Sequence, residues 1–335
     1  MEREDAAFES FVPPWWAAGT HGQTLAGHLL RRVHCRGQGE RERLETQDGD
    51  FLVLEWFGGM PPRAAPIATA PLVLLLHGLE GSSRSGYIVS LAQALAAAGC
   101  AAVALNFRGC SGEPNRLPRA YHAGETGDLS FVVATLAQRF PGRPLGVVGF
   151  SLGGNVVLRW LGEQGREAAA TVRAAAAVSV PYDLARGADH SMSGAGRPYA
   201  LRLIAELRAK ARAKAALVAG RVDLERTLRA RTFREFDEAF TAPLHGFRDA
   251  DDYYTRGSSA PWLSGIAVPT LAIHALDDPF LPSAALPLAA LRANPAITLA
   301  LSDRGGHVGF VAGSPWSPRF LAEQRLARFF AATLR

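Results

Sequence analysis

The stretch Leu145-Gly146-Val147-Val148-Gly149-Phe150-Ser151-Leu152-Gly153-Gly154 decides the fold. Positions 145–150 form an apolar run of strand length, and 152–163 carries a helical pattern. Between them Ser151 is flanked two residues either side by Gly149 and Gly153, the G-x-S-x-G arrangement at a strand-to-helix turn. A serine that must project its hydroxyl from the top of a sheet needs a sharp, strained turn. Side chains two residues away on either side would collide, so glycine is required there. In a chain with 34 glycines the bare pattern is common, and the strand–turn–helix setting gives it weight. The backbone N–H of Leu152, at the start of a helix, would face an oxyanion forming on a carbonyl attacked by Ser151.

Outward from this turn, apolar runs alternate with helical patterns. Strands are expected at Leu72–Leu76, 101–106, 145–150 and 173–180, with helices at 86–98, 124–139 and 152–163. Such alternation argues for a parallel sheet wrapped by helices, because parallel strands need crossover connections. The unbroken apolar Leu72–Leu76 reads as a strand buried on both faces. Upstream, Arg41–Thr46 and Phe51–Phe57 flank Asp48-Gly49-Asp50, a hairpin signal. Residues 1–40 read as irregular, and a Pro/Ala-rich loop occupies 60–70. The alternation stops at Pro181, and 185–265 is polar, helical and arginine-rich. It resumes with Thr270–Ala275, a helix near 283–292, a strand near 297–302 and a last helix opening with Ser317 as cap and Pro318 at its first position. The expected organisation is an α/β core, 41–184 and 266–335, interrupted by an inserted helical cap, 185–265, with 1–40 an extension packing on the core.

The bulk composition agrees with a globular chain: 335 residues, 48% apolar and 20% charged. Disorder, collagen-like repeats and a small disulfide scaffold are excluded. Cys35, Cys100 and Cys110 have no CxxC spacing, so they imply neither a zinc site nor a disulfide framework. The longest uncharged stretch, Ser85–Phe107, divides into a helix and a strand and is read as soluble rather than membrane-spanning. The acidic opening Met1–Ser10 lacks the pattern of a secretory signal, and a reducing cytosol is the expected compartment.

Two further loops complete a chemistry. After strand 270–275 comes His274-Ala275-Leu276-Asp277-Asp278-Pro279, and an acid on such a loop can orient a histidine and stabilise its imidazolium. The spacing to Pro282 selects Asp278 over Asp277. After strand 297–302 comes Gly305-Gly306-His307-Val308-Gly309, where glycines leave the imidazole free to reach the serine as general base, then general acid. Among nine histidines His307 alone has the expected order. A second oxyanion donor is expected from His77-Gly78-Leu79-Glu80-Gly81, through the backbone N–H of Leu79. His77 reads as a structural prop for that loop. Arg108, near Glu125 and Asp128, reads as a member of a buried ion pair.

The sequence resembles the α/β-hydrolase superfamily, and closely its YheT-like subgroup, over nearly its whole length. The marks are His21-Gly22-Gln23-Thr24, His77–Gly81, Asn106–Gly112, Gly149–Gly153, Phe233–Asp237, Thr241–Gly246, Asp252–Tyr254, Asp277–Phe280 and Gly305–Phe310. His21–Thr24 departs from the subgroup's more usual H-L-Q-T by carrying Gly22. The resemblance implies an α/β-hydrolase fold, a charge relay at Ser151, Asp278 and His307, and hydrolysis of short acyl esters or acylglycerols without metal or cofactor.

Three functions remain open at this level: a serine esterase, a thioesterase or acyltransferase using the same three residues, and a binding module on an inactive hydrolase fold. The last requires a missing member, and none is missing. The formal charge of +5 is placed unevenly. Arg197–Glu235 holds eleven basic and four acidic residues, a net +7, leaving −2 elsewhere. There Leu201, Ile204, Leu207, Ala211, Ala215 and Val218 recur at helical spacing, with Arg202, Arg208, Arg212 and Lys214 on other faces. The expected reading is a solvated basic cap, with peripheral contact to an anionic membrane surface as the sharper alternative. No nucleic-acid partner is expected; the expected partner is a small ester.

Overall fold

The computed structural model describes residues 11–35, 37–58 and 69–335. Positions 1–10, and most of the 60–70 loop, lie outside the described residues. The strands are β1 (Glu40–Glu45), β2 (Phe51–Phe57), β3 (Leu72–Leu76), β4 (Ala101–Asn106), β5 (Leu145–Phe150), β6 (Val172–Val178), β7 (Thr270–Ala275) and β8 (Ile297–Ser302). They make one sheet in the order β1-β2-β4-β3-β5-β6-β7-β8. β1 and β2 form the expected antiparallel hairpin, β2 also runs antiparallel to β4, and every pairing from β4 to β8 is parallel. This is the α/β-hydrolase fold.

Helices cover both faces of the sheet, so the strands alternate between two apolar cores. Leu72, Leu74 and Leu76 face one core with the helix Leu152–Gln164, while Val73 and Leu75 face the other with Gly86–Ala97 and Leu321–Thr333. The uncharged Ser85–Phe107 stretch is a helix, Gly86–Ala97, followed by β4. Among the described residues no helix is long and apolar enough to cross a membrane.

From β3 the chain crosses to β4 on one side, then returns to β5 on the other. Strand order therefore reverses at β3 and β5, and in open α/β sheets ligands bind beyond the carboxyl ends of the strands at such a point. The loops there are His77–Gly81 and the Ser151 turn. Between β6 and β7 lies a run of helices, the longest Arg197–Ala213.

Three expectations are corrected. Within the segment read as irregular, Gly19–His34 is a 16-residue helix. Its buried face is Gln23, Gly27 and Arg31, which carries no apolar period to read. Ser317 and Pro318 do not start the last helix. Ser317–Phe320 is a strand, β10, pairing antiparallel with β9 (Val311–Ser314), and the helix starts at Leu321. The ribbon is held from outside it, because the Gln23 side chain accepts from the Val311 N–H (2.7 Å) and donates to the Val311 carbonyl (3.1 Å). The helix near 283–292 is split by Pro287 into a 3-10 turn, Ser283–Ala285, and a helix, Leu288–Ala293.

Candidate active site

Ser151 sits at φ 51°, in the left-handed region that a non-glycine residue adopts only under constraint. The constraint is local packing. A Cβ at Gly149 would lie 2.2 Å from the Gly153 carbonyl oxygen, and one at Gly153 would lie 2.5 Å from that of His77. The Ser151 N–H donates to the Val178 carbonyl at 2.8 Å. Leu152 opens the helix, and its N–H has no acceptor within the helix.

The His77–Gly81 loop approaches closely, since a Cβ at Gly78 would stand 3.2 Å from the Ser151 Cβ. Its amides are consumed one by one. Gly78 N–H donates to the Tyr87 hydroxyl (2.9 Å), Glu80 N–H to the Tyr121 hydroxyl (2.9 Å) and Gly81 N–H to the Gly78 carbonyl (3.0 Å). Leu79, between them, faces the cavity. His77 is a prop, as expected. Burial pushes its imidazole down to about 3, so it is neutral; Nδ1 donates to the Gly78 carbonyl at 2.7 Å and Nε2 accepts from the Phe107 N–H at 3.2 Å.

His307 Nδ1 lies 2.7 Å from Asp278 Oδ2. The Asp278 side chain is fully buried and also accepts from the Phe280 N–H at 2.9 Å. Asp277 is engaged differently: it accepts from the Gly306 N–H (2.8 Å) and the Thr20 hydroxyl (3.3 Å). The two neighbouring carboxylates thus divide between the imidazole and the backbone of its loop.

That loop is fastened by the helix Gly19–His34. Thr24 Oγ1 accepts from the His307 N–H at 3.0 Å. Arg31 donates to the Val308 (2.8 Å) and Gly309 (2.9 Å) carbonyls while paired with buried Glu323 at 2.6 Å. These contacts sustain Val308 at φ 55°, a costly conformation for a β-branched residue. None of Thr24, Arg31, Tyr87 or Tyr121 was singled out by sequence for these roles. Gln23-Thr24 within the His21–Thr24 motif was the signal available.

Leu79, Ser151, Leu152 and His307 line one cavity of about 710 Å³, walled mainly by apolar side chains such as Leu203, Phe236 and Phe280. Both lysines of the chain point inward. Lys210 meets Glu80 and the Cys110 Sγ at 3.1 and 3.0 Å. Lys214 is buried, donates to Asn115 Oδ1 (2.9 Å) and the Arg119 carbonyl (2.8 Å), and is pushed down to about 8 by burial. Lys214 on a solvated face is therefore a corrected expectation: the helix ends at Ala213, which turns the next residue inward. Arg108 is the expected buried ion-pair member, bridging Asp128 (2.7 Å), Asp50 (3.0 Å) and Asp48 (2.9 Å).

A strand-order reversal that places a strained serine, a carboxylate-bound histidine and a glycine-rich loop around one cavity defines the α/β-hydrolase class. Residues 71–313 match the family described as alpha/beta hydrolase fold. The chain is 38% identical to YheT of Escherichia coli (strain K12) over 96% of its own length and 93% of that protein. It is 32% identical to mouse phospholipase ABHD3, over 91% of this chain and 74% of that one. A solved structure of the Pyrococcus furiosus esterase Pf2001 shares the fold with a TM-score of 0.55 at 18% identity, over 89% of this chain and 94% of that one. The chain belongs to the α/β-hydrolase family, in its YheT-like subgroup, and is a carboxylic-ester hydrolase of that family.

Proposed function

We propose that the chain hydrolyses short or medium acyl esters or acylglycerols through an acyl-enzyme on Ser151. His307 takes the hydroxyl proton as Ser151 attacks the ester carbonyl, and the developing oxyanion is held by the Leu79 and Leu152 N–H groups. His307 then gives that proton to the leaving alcohol. Water, activated by the same imidazole, releases the acid and restores Ser151. Asp278 fixes the Nδ1–H tautomer and stabilises the imidazolium. The observation that carries the reading is the 2.7 Å contact from His307 Nδ1 to a buried Asp278, on a loop that shares the Ser151 cavity.

In this reading 185–265 is a cap over a core formed by 41–184 and 266–335, and 1–40 packs on that core. The apolar walls favour an acyl chain over a charged substrate. Exposed cap arginines would permit peripheral contact with an anionic membrane. The test is turnover of p-nitrophenyl butyrate by the wild-type chain and by Ser151→Ala. The reading requires turnover by the first and a loss of at least about 10³-fold in the second; equal rates would refute it.

A further inference from the structure

The helix Gly19–His34 presents an outward face that its inward duties do not explain. Opposite Gln23, Gly27 and Arg31 stand Leu25, Leu29 and Val33, at 45%, 56% and 59% exposure. Spaced four residues apart, they form one stripe about 12 Å long at 1.5 Å per residue. Of the nine large apolar side chains exposed among the described residues, six belong to this neighbourhood. Beyond the stripe these are Val12, Trp15 and Trp316, each more than 80% exposed. Trp316 sits at the turn between β9 and β10, and that turn is tied to the helix end where His34 Nε2 meets the Pro315 carbonyl at 3.1 Å. Trp16, beside Trp15, donates to the Gly313 carbonyl at 3.1 Å.

Two observations say what covers this face. The first is charge. The 16-residue helix holds no Asp or Glu, while Arg32 is exposed beside the stripe. Across from it the cap helix brings exposed Leu201 and Arg202, the latter shared with Glu206 at 3.0 Å. His28, between the two helices, feels both Arg32 and Arg202. The second is continuity with the site. Leu25 and His28 are exposed on this face and also line the Ser151 cavity, so whatever seats on the stripe lies at the cavity mouth.

We propose that this face docks on a lipid surface bearing anionic headgroups, with Leu25, Leu29, Val33, Trp15 and Trp316 entering the interface and Arg32 and Arg202 meeting the headgroups. Apolar residues edged by cations, with tryptophans at the rim, suit a polar–apolar boundary. A second copy of the chain would gain nothing from the missing carboxylates, since like charges would face each other across the contact. The seat is thus the amino-terminal helix, with the cap supplying the flanking charge. The inference bears on which esters reach the site and rests on the ester-hydrolase reading only for that consequence.

The test separates the two. Ser151→Ala protein, which need not turn over, is sedimented with ether-linked phosphatidylcholine vesicles, with and without about one third anionic ether lipid. Leu29→Glu/Val33→Glu is placed in the same background and, separately, in the active chain. The expected result is binding that rises at least tenfold with anionic lipid and weakens with salt, and that falls at least tenfold in the double variant. Turnover of soluble p-nitrophenyl butyrate by the active double variant is expected to stay within twofold of wild type. Binding that ignores the double substitution overturns the proposal. So does failure to bind vesicles together with wild-type dimers, by light scattering, that the double variant abolishes, which would assign the stripe to self-association.

Discussion

On the proposed mechanism, replacing Asp278 by Asn is expected to disable His307 as a base by reversing one hydrogen bond. Asp278 Oδ1 accepts from the Phe280 N–H at 2.9 Å, and Oδ2 faces His307 Nδ1 at 2.7 Å. An asparagine must keep its carbonyl toward the Phe280 N–H, because an amide hydrogen there would face another donor. Its NH₂ then points at Nδ1, which must become an acceptor. The proton moves to Nε2, the nitrogen that should take the Ser151 proton, and no general base remains. A tautomer switch of this kind costs about 10⁴ in rate, or about 5 kcal/mol of transition-state stabilisation. Asp277→Asn differs. Its carbonyl can still accept from Gly306, and its NH₂ can donate to the Thr20 hydroxyl, which accepts as well as donates. Only charge assistance is lost, about tenfold or less in kcat/KM. Both variants are assayed with p-nitrophenyl butyrate, with thermal melts to confirm folding. Asp277→Asn falling as far as Asp278→Asn, or Asp278→Asn staying within tenfold of wild type, would refute the reasoning.

Other outcomes follow from the same contacts. Gly149→Ala places a Cβ 2.2 Å from the Gly153 carbonyl oxygen, a backbone atom that no side-chain rotation can move aside; a loss of about 3 kcal/mol or more and of turnover is expected, and a wild-type melt with wild-type rates would contradict it. Arg108→Met removes the cation that bonds both buried Asp50 and buried Asp128, leaving Asp128 only the Arg119 guanidinium at 3.8 Å. Denaturation should show about 3–5 kcal/mol lost, with turnover per folded molecule within tenfold; intact stability with abolished turnover would make Arg108 a substrate contact instead. Burial holds His77 and His122 down to about 3, and His245 and His274 down to about 4. Below the unfolded value of about 6.5 the unfolded chain therefore binds protons that the folded chain refuses, and each group removes up to about 1.4 kcal/mol per pH unit on acidification. Asp237, raised by burial to about 6, opposes them with one proton between about 6 and its unfolded value of 3.8. Urea unfolding at pH 7, 6 and 5 should show stability falling with pH, and a flat or rising series would contradict the assignment.

The parallel strands were legible because burial on both faces leaves an unbroken apolar run, as at Leu72–Leu76. The helix Gly19–His34 was not, because its buried face is Gln23, Gly27 and Arg31 while Leu25 and Leu29 are exposed. Ser317-Pro318 carries the chemistry of a helix start, but a contact from Gln23, nearly 300 residues away, holds the preceding strand and the chain pairs instead. At the site, the proposed relay residues Ser151 and His307 are legible as loop types following a strand, whereas Asp278 shares its loop with Asp277 and is separated from it only by the spacing to Pro282. Tyr87, Tyr121, Thr24 and Lys210 act through side-chain contacts to other segments of the chain, which leave no local period or spacing in the sequence.

The central claim is that Ser151 is the nucleophile, activated by His307. Reaction of the folded chain with a fluorophosphonate, followed by peptide mass spectrometry, tests it most directly. One adduct is expected, on Ser151, slowed at least about a hundredfold by His307→Ala and absent in Ser151→Ala. No adduct on Ser151 in protein that hydrolyses p-nitrophenyl butyrate would contradict it.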